Sequence, residues 1–243
     1  MFWRVRDWVG LEGLCTLFYD DPMFVHEMME FVADFTITAL ERALSEVKVD
    51  FVFFNEDMVY KSGSMISPRM VKEFLWPRYR KLVEFFRGKG VPVLIMDCDG
   101  NIEELLPLWL EMGFNAVYPV EIAAGNDPVR LRKRFGRDLA MIGGIDKRKL
   151  RYDRTREDIR QEVLSKVPWL IEQGGYVPAV DHAVPPDIPI RNYLYMVELI
   201  KGIAEGKDPR SWEPQGELEA KLGPLEEMWT PERAWTLPEE EAL

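Results

Sequence analysis

Short apolar runs, each closed by an acid, alternate along this chain with amphipathic stretches long enough for helices. "DFVFFNEDM" ends at Glu56 and Asp57, and "VPVLIMD" at Asp97 with Asp99 two residues on. "NAVYPVE" ends at Glu121, "LAMIGGID" at Asp146, and "YVPAVD" at Asp181 followed by His182. Runs of this length, rich in aromatic and β-branched residues, read as strands, and continuous apolar strands alternating with helices make a parallel sheet covered by helices. In parallel α/β folds the C-terminal strand ends converge on one face, which is where ligands bind. The pattern predicts one polar, acidic cavity.

The helices between these runs carry their own punctuation. "DDPMFVHEMMEFVADFTITALERALSEV" predicts a helix over about residues 21 to 47, with Asp20 or Asp21 as cap and Pro22 in the first turn. "SPRMVKEFLWPRYRKLVEFFRGKG" starts at Ser67 and Pro68, stops at Gly88 or Gly90, and should bend at Pro77. Four more helices are expected in "NIEELLPLWLEMG", "DPVRLRKRFG", "TREDIRQEVLSKVPWLIEQGG" and "PIRNYLYMVELIKGIAEG". With a strand mouth expected near Cys15, the strand count is about six. Residues 1–206 read as one domain. Residues 207–243 read as an acidic, proline-containing tail, a solvated extension unless Trp212, Trp229 or Trp235 anchors it.

Bulk composition removes several function classes. The 31 basic and 42 acidic residues leave a net charge of −11, which repels nucleic-acid backbones and anionic lipid surfaces. No run approaches the roughly 20 apolar residues of a membrane span. Cys15 and Cys98 lack a C-x-x-C spacing, which suits a reducing cytoplasm. There is no G-x-G-x-x-G or P-loop. The Gly143–Gly144 pair alone is no phosphate cradle, and "RLRKRFGR" reads as a solvated helix face.

Among the strand-end residues, Asp97 and Asp99 share one side of the pleat and Cys98 points to the other, towards the helices. His182, one of only 2 histidines, sits at a strand mouth among acids and is a candidate general acid or metal ligand, while His26, within a long helix, reads as structural. Glu56 and Asp181 are candidate catalytic partners for His182. Asp57, Glu121 and Asp146 are candidate substrate-binding groups, with Asp57 and Asp146 equally open to capping roles, and Asp127 before Pro128 expected to cap only.

The blocks "WVGLEGLCTLFYDDP", "NEDMVYKSGSMISPRMVKEFLWPRYRKLV", "LIMDCDGNIEELLPLWLEMGFNAVYPVE", "LAMIGGIDKRKL" and "GGYVPAVDHAVPPDIPIRNYLYMVELI", in this order and spacing, resemble the uroporphyrinogen decarboxylase superfamily. The likeness covers about residues 7 to 205 and is closer to the corrinoid-linked methyltransferase branch, whose members demethylate methylated or methoxylated small molecules. It implies a (β/α)8 barrel of TIM type lacking the N-terminal one or two βα units, with homo-oligomerisation or a partner chain covering the open edges. It further implies a small-molecule substrate and a corrinoid carried by a partner protein. In the methyltransferase branch a His-x-Cys-Gly block and a later cysteine hold zinc. The matching positions here are Asp97, Cys98, Asp99 and Gly100, with His182 at or beside the later one, so an Asp97, Asp99, His182 zinc site is the corresponding expectation. The alternatives are uroporphyrinogen III decarboxylation, in which His182 would occupy the position of a Gly-His-Gly histidine, and a non-catalytic binding subunit.

Overall fold

In the computed structural model, which describes residues 1–214, the predicted alternation becomes one five-stranded parallel sheet with helices packed on one of its faces. Three helices lead in: α1 (Phe2–Val9), α2 (Leu11–Asp20) and α3 (Pro22–Glu46). After β1 (Phe51–Asn55) come a small hairpin, β2 (Val59–Tyr60) with β3 (Gly63–Ser64), and a long helix built from α4 (Pro68–Met70), a π-helical turn and α5 (Trp76–Gly88). The alternation continues through β4 (Val93–Asp97), α6 (Leu106–Met112), β5 (Ala116–Tyr118), α7 (Pro128–Phe135) and β6 (Ala140–Ile145). It ends with α8 (Arg156–Leu164), α9 (Val167–Gln173), β7 (Tyr176–Val180) and α10 (Ile190–Ala204).

Strand order in the sheet is β1-β4-β5-β6-β7, all parallel. Each new strand adds to the same edge and the order never reverses. That is the winding of a (β/α) barrel, whereas a doubly wound sheet turns back at a switch point. The described residues therefore form five of the eight strands that close such a barrel.

Local chemistry explains the element ends. The Asp21 carboxylate accepts from the Phe24 amide at 3.1 Å and caps α3, whose first residue is Pro22. Ser67 caps the Pro68 helix in the same way, accepting from the Met70 amide at 3.2 Å. Pro77 has no amide hydrogen to donate to the preceding turn, and the chain widens into the π-helical turn Val71–Leu75 directly ahead of it. Thr155 and Asp158 form a reciprocal capping box at the start of α8. The pleat then sorts the strand residues. Phe54 packs edge-on against Phe86 and Phe114 with centroids 5.5 and 4.8 Å apart, while its neighbours Phe51 and Phe53 face the opposite, open side, 54% and 44% exposed.

Three details depart from the sequence reading. The sheet holds five strands, not about six, because the segment around Cys15 is helical: Leu14 and Phe18, four residues apart in α2, are both buried. The helix expected across "TREDIRQEVLSKVPWLIEQGG" is two helices, since Pro168 sits in the first turn of α9 and the chain breaks at Ser165 and Lys166. Trp212 is anchored, its ring lying over Gly202 of α10, where a Cβ would sit 2.1 Å from the indole. Beside it the Tyr195 hydroxyl donates to Glu213 at 2.6 Å, and Arg160 pairs with the same carboxylate. Trp229 and Trp235 lie outside the described residues. No helix among the described residues is long and apolar enough to cross a membrane.

Gly143 and Gly144 have a structural role. Gly143 lies at φ +103, and a Cβ there would fall 1.9 Å from the carbonyl oxygen of Pro119, which accepts the Gly144 amide at 3.0 Å. Gly143→Ala is expected to cost about 3 kcal/mol or more, since backbone must move. Gly90→Ala, at φ +82 with open space around it, should cost only about 1 kcal/mol. Urea denaturation followed by circular dichroism separates the two, and equal costs would contradict the close-approach explanation.

Candidate active site at the strand ends

On the open face of the sheet, Phe53, Ile95 and Ala116 line an apolar groove. Two residues further along the same pleat come Asn55, Asp97 and Tyr118, held in register across β1, β4 and β5. The Tyr118 ring stands edge-on to Phe53, centroids 5.8 Å apart. An apolar floor thus gives way to a polar layer at the C-terminal ends of the strands.

Above this layer the loops add three more groups. Asp57, just past β1, has a left-handed backbone (φ 34), and its Oδ1 accepts from the Asp99 amide at 3.0 Å. The Asp99 carboxylate lies 2.8 Å from Nε2 of His182. Asp99 follows the second strand of the sheet and His182 the fifth, so this contact spans the mouth over β5 and β6. Arg6 of α1 reaches in from the other side, donating to the Asp57 carbonyl at 3.1 Å. Val120, a β-branched residue past β5, also has a left-handed backbone (φ 56); strain of this kind gathers where a fold holds functional geometry.

Asp97 is the electrostatic centre. Burial, then the charges of Asp57 and Asp99, raise its carboxyl to about 6, with His182 opposing. Asp57 is raised by burial and by Asp99, against the Asp99 amide, Arg6 and His182. Burial and the charges of Asp97 and Asp99 likewise raise the Tyr118 phenol. Three carboxyls gather about one imidazole, with the Arg6 guanidinium beside Asp57, an arrangement suited to holding and moving a proton near neutral pH.

The structure gives other candidates different work. Glu56, expected as a catalytic partner, is 1% exposed and bonds the Met1 amino group and, at 3.1 Å, the Trp3 amide. Asp181, the second expected partner, is fully buried and accepts from the amides of Ile122 at 2.8 Å and Lys147 at 3.1 Å, tying the loops after β5 and β6 together. Asp146 accepts the Arg148 amide at 3.0 Å and pairs with its guanidinium; burial works to raise its carboxyl, but Arg148 holds it below its ordinary value. Glu121 accepts the Gly100 amide at 2.9 Å, which fixes the backbone next to Asp99. Cys98 is buried away from the groove, and burial pushes its thiol far up. His26 stacks on Phe74 with centroids 4.5 Å apart.

Sequence reading missed Tyr118 and Arg6. Tyr118 belongs to the site because it is in register with Asp97, a relation between strands that no single segment displays. Arg6 belongs because "RVRDW" is the helix α1 rather than the approach to a strand.

The expected zinc set does not fit this arrangement. Among the described residues no three His, Cys, Asp or Glu side chains are disposed to hold one metal ion, and Asp99 and His182 are directly bonded to each other.

Residues 8–203 match the model of the uroporphyrinogen decarboxylase (URO-D) family. The chain belongs to this family. Over 192 residues it is 20% identical to a uroporphyrinogen decarboxylase of a Nitratiruptor species, a match covering 76% of this chain and 51% of the relative. Its fold is similar to that of a methyltransferase from Methanosarcina mazei, with a TM-score of 0.61 and 17% identity over 81% of this chain and 54% of the other. This URO-D family chain thus spans about half the length of the relatives it matches.

A raised Asp97 has a consequence for stability. The folded state keeps the proton up to about pH 6, whereas the unfolded chain releases it near pH 4. Asp97 therefore contributes stability that is fully present below about pH 4 and is lost as the pH rises through about 6. Urea denaturation from pH 4 to 7 should show this decline, and Asp97→Asn should flatten it. A carboxyl resonance of Asp97 titrating near 4 by NMR would refute the assignment.

Proposed function

We propose that this chain is an enzyme of the methyltransferase branch of the URO-D family, acting on a small methylated or methoxylated compound. The observation that carries the reading is the composition of the strand-end site: Asp57, Asp97, Asp99, Tyr118 and His182 above an apolar floor that includes Phe53 and Ile95. A compact ligand with an apolar body and one heteroatom matches that layout. Uroporphyrinogen, the alternative substrate, carries eight carboxylates, and three acids opposed by Arg6 and His182 are a poor host for so much negative charge. The name of the Nitratiruptor relative keeps decarboxylation as the second reading.

A corrinoid carried by a partner protein would accept the methyl group, and no residue of this chain is assigned to that cofactor. This chain's own work is to hold the donor and manage its charge. When a methyl group leaves an oxygen or nitrogen, that atom gains electron density and needs a proton. Asp97 is protonated over part of its population near neutral pH and stands on the groove face, so it is the proposed donor. Asp99, bonded to His182, fixes the imidazole at the mouth, and Asp57 fixes the backbone of Asp99.

The test is methyl transfer to cob(I)alamin, followed by its visible spectrum, with a panel of methoxylated aromatics and methylated amines. Asp97→Asn is expected to slow the reaction about 10²- to 10⁴-fold and His182→Ala to weaken it less, with both variants folded by circular dichroism. Decarboxylation of a porphyrinogen without methyl transfer would replace the reading with the second one. Tight substrate binding without turnover would make the chain a binding subunit.

A further inference from the structure

Below the acids of the strand-end site lies a run of aromatic rings set at right angles. Phe51 stands edge-on to Phe53 with centroids 5.7 Å apart, and Phe53 to Tyr118 at 5.8 Å, the planes crossing at 85° and 88°. Phe51 and Phe53 line the groove of about 570 Å³ and are 54% and 44% exposed to it. Rings at right angles make the walls of a corner, and a ring face attracts a cation. The acids above are short of positive charge. Arg6 gives its hydrogen bond to the Asp57 carbonyl, and His182 lies against Asp99. Asp97, in register with Tyr118, takes part in neither contact: what acts on its carboxyl is burial and the charges of Asp57, Asp99 and His182.

We infer that this corner binds the methylated end of a quaternary ammonium compound, its N-methyl groups against Phe53 and Tyr118 and its charge beside Asp97. The inference rests on the reading of this site as the place that holds the methyl donor, and it narrows that donor to a cation. A quaternary ammonium has no N–H to donate and spreads its charge over its methyl groups. It therefore needs aromatic and apolar surface in contact and carboxylates close by, with no fixed hydrogen-bond geometry, and the site supplies both. A metal ion needs several ligands disposed about one point, which the described residues do not offer. A neutral ether would leave the mutual repulsion of Asp57, Asp97 and Asp99 in place, whereas a bound cation relieves it.

Calorimetric titration of the full chain with choline and with 3,3-dimethylbutan-1-ol, which carries carbon in place of the nitrogen, isolates the charge. Choline should bind about 10-fold more tightly or better. Asp97→Asn should weaken choline about 10-fold, and Phe53→Leu and Tyr118→Leu about 3- to 10-fold each, with the alcohol affected less and circular dichroism unchanged. No binding of choline, equal affinity for the alcohol, or a preference that survives all three substitutions would overturn the inference. Binding is read without turnover, so its outcomes separate from those of the methyl-transfer assay. Transfer from methoxylated aromatics by a chain that does not bind choline would remove the cation and keep the proposed reaction. Choline held through Asp97 and the two rings by a chain that transfers no methyl group would keep the cation site and remove the reaction.

Discussion

Parallel pairing in unbroken chain order is the constraint from which the site follows. Because β1, β4, β5, β6 and β7 each add to the same edge, all five C-terminal ends lie on one rim, and the acids closing the strands are gathered there. Register then decides which acids meet. Asn55, Asp97 and Tyr118 align across three strands, and a slip of one residue would turn Asp97 towards the helices and Cys98 towards the groove. The loops past the strands hold this rim together through backbone amides: Asp181 binds those of Ile122 and Lys147, Glu121 that of Gly100, and Asp57 that of Asp99. Acids that look alike in the sequence therefore divide into those that hold loops and those left to face the groove.

That division marks the limit of what the sequence could reveal. Strands and helix caps were legible because their signals are local: an apolar run bounded by turns, or Asp21, Ser67 and Asp127 ahead of a proline. The grouping of Asp97 and Asp99 was legible from period-2 alternation. The fates of Glu56 and Asp181 were not, because each depends on an amide brought from a distant segment, 53 residues away for Trp3 and 59 for Ile122. The N-terminal segment was misread for a related reason. Its spacing of Leu14 and Phe18 is helical, but both residues bury only when α2 packs against α3 and the core.

The exposed groove and the titration of Asp97 are physically linked. As the groove stands, Asp97 is half-buried, and its carboxyl is raised by that burial and by two neighbouring carboxyls. Covering the groove would exclude water and lower the local dielectric, which strengthens both effects at once: desolvation of the carboxylate and repulsion from Asp57 and Asp99. Asp97 would then hold its proton to a higher pH, while the Asp99 and His182 pair, 38% and 40% exposed at the mouth, would interact more strongly as solvent is excluded. Whatever shields Phe51 and Phe53 from solvent would therefore also raise the proton affinity of the group standing above them. The same pleat carries both the apolar floor and Asp97, so whatever shields the one shields the other.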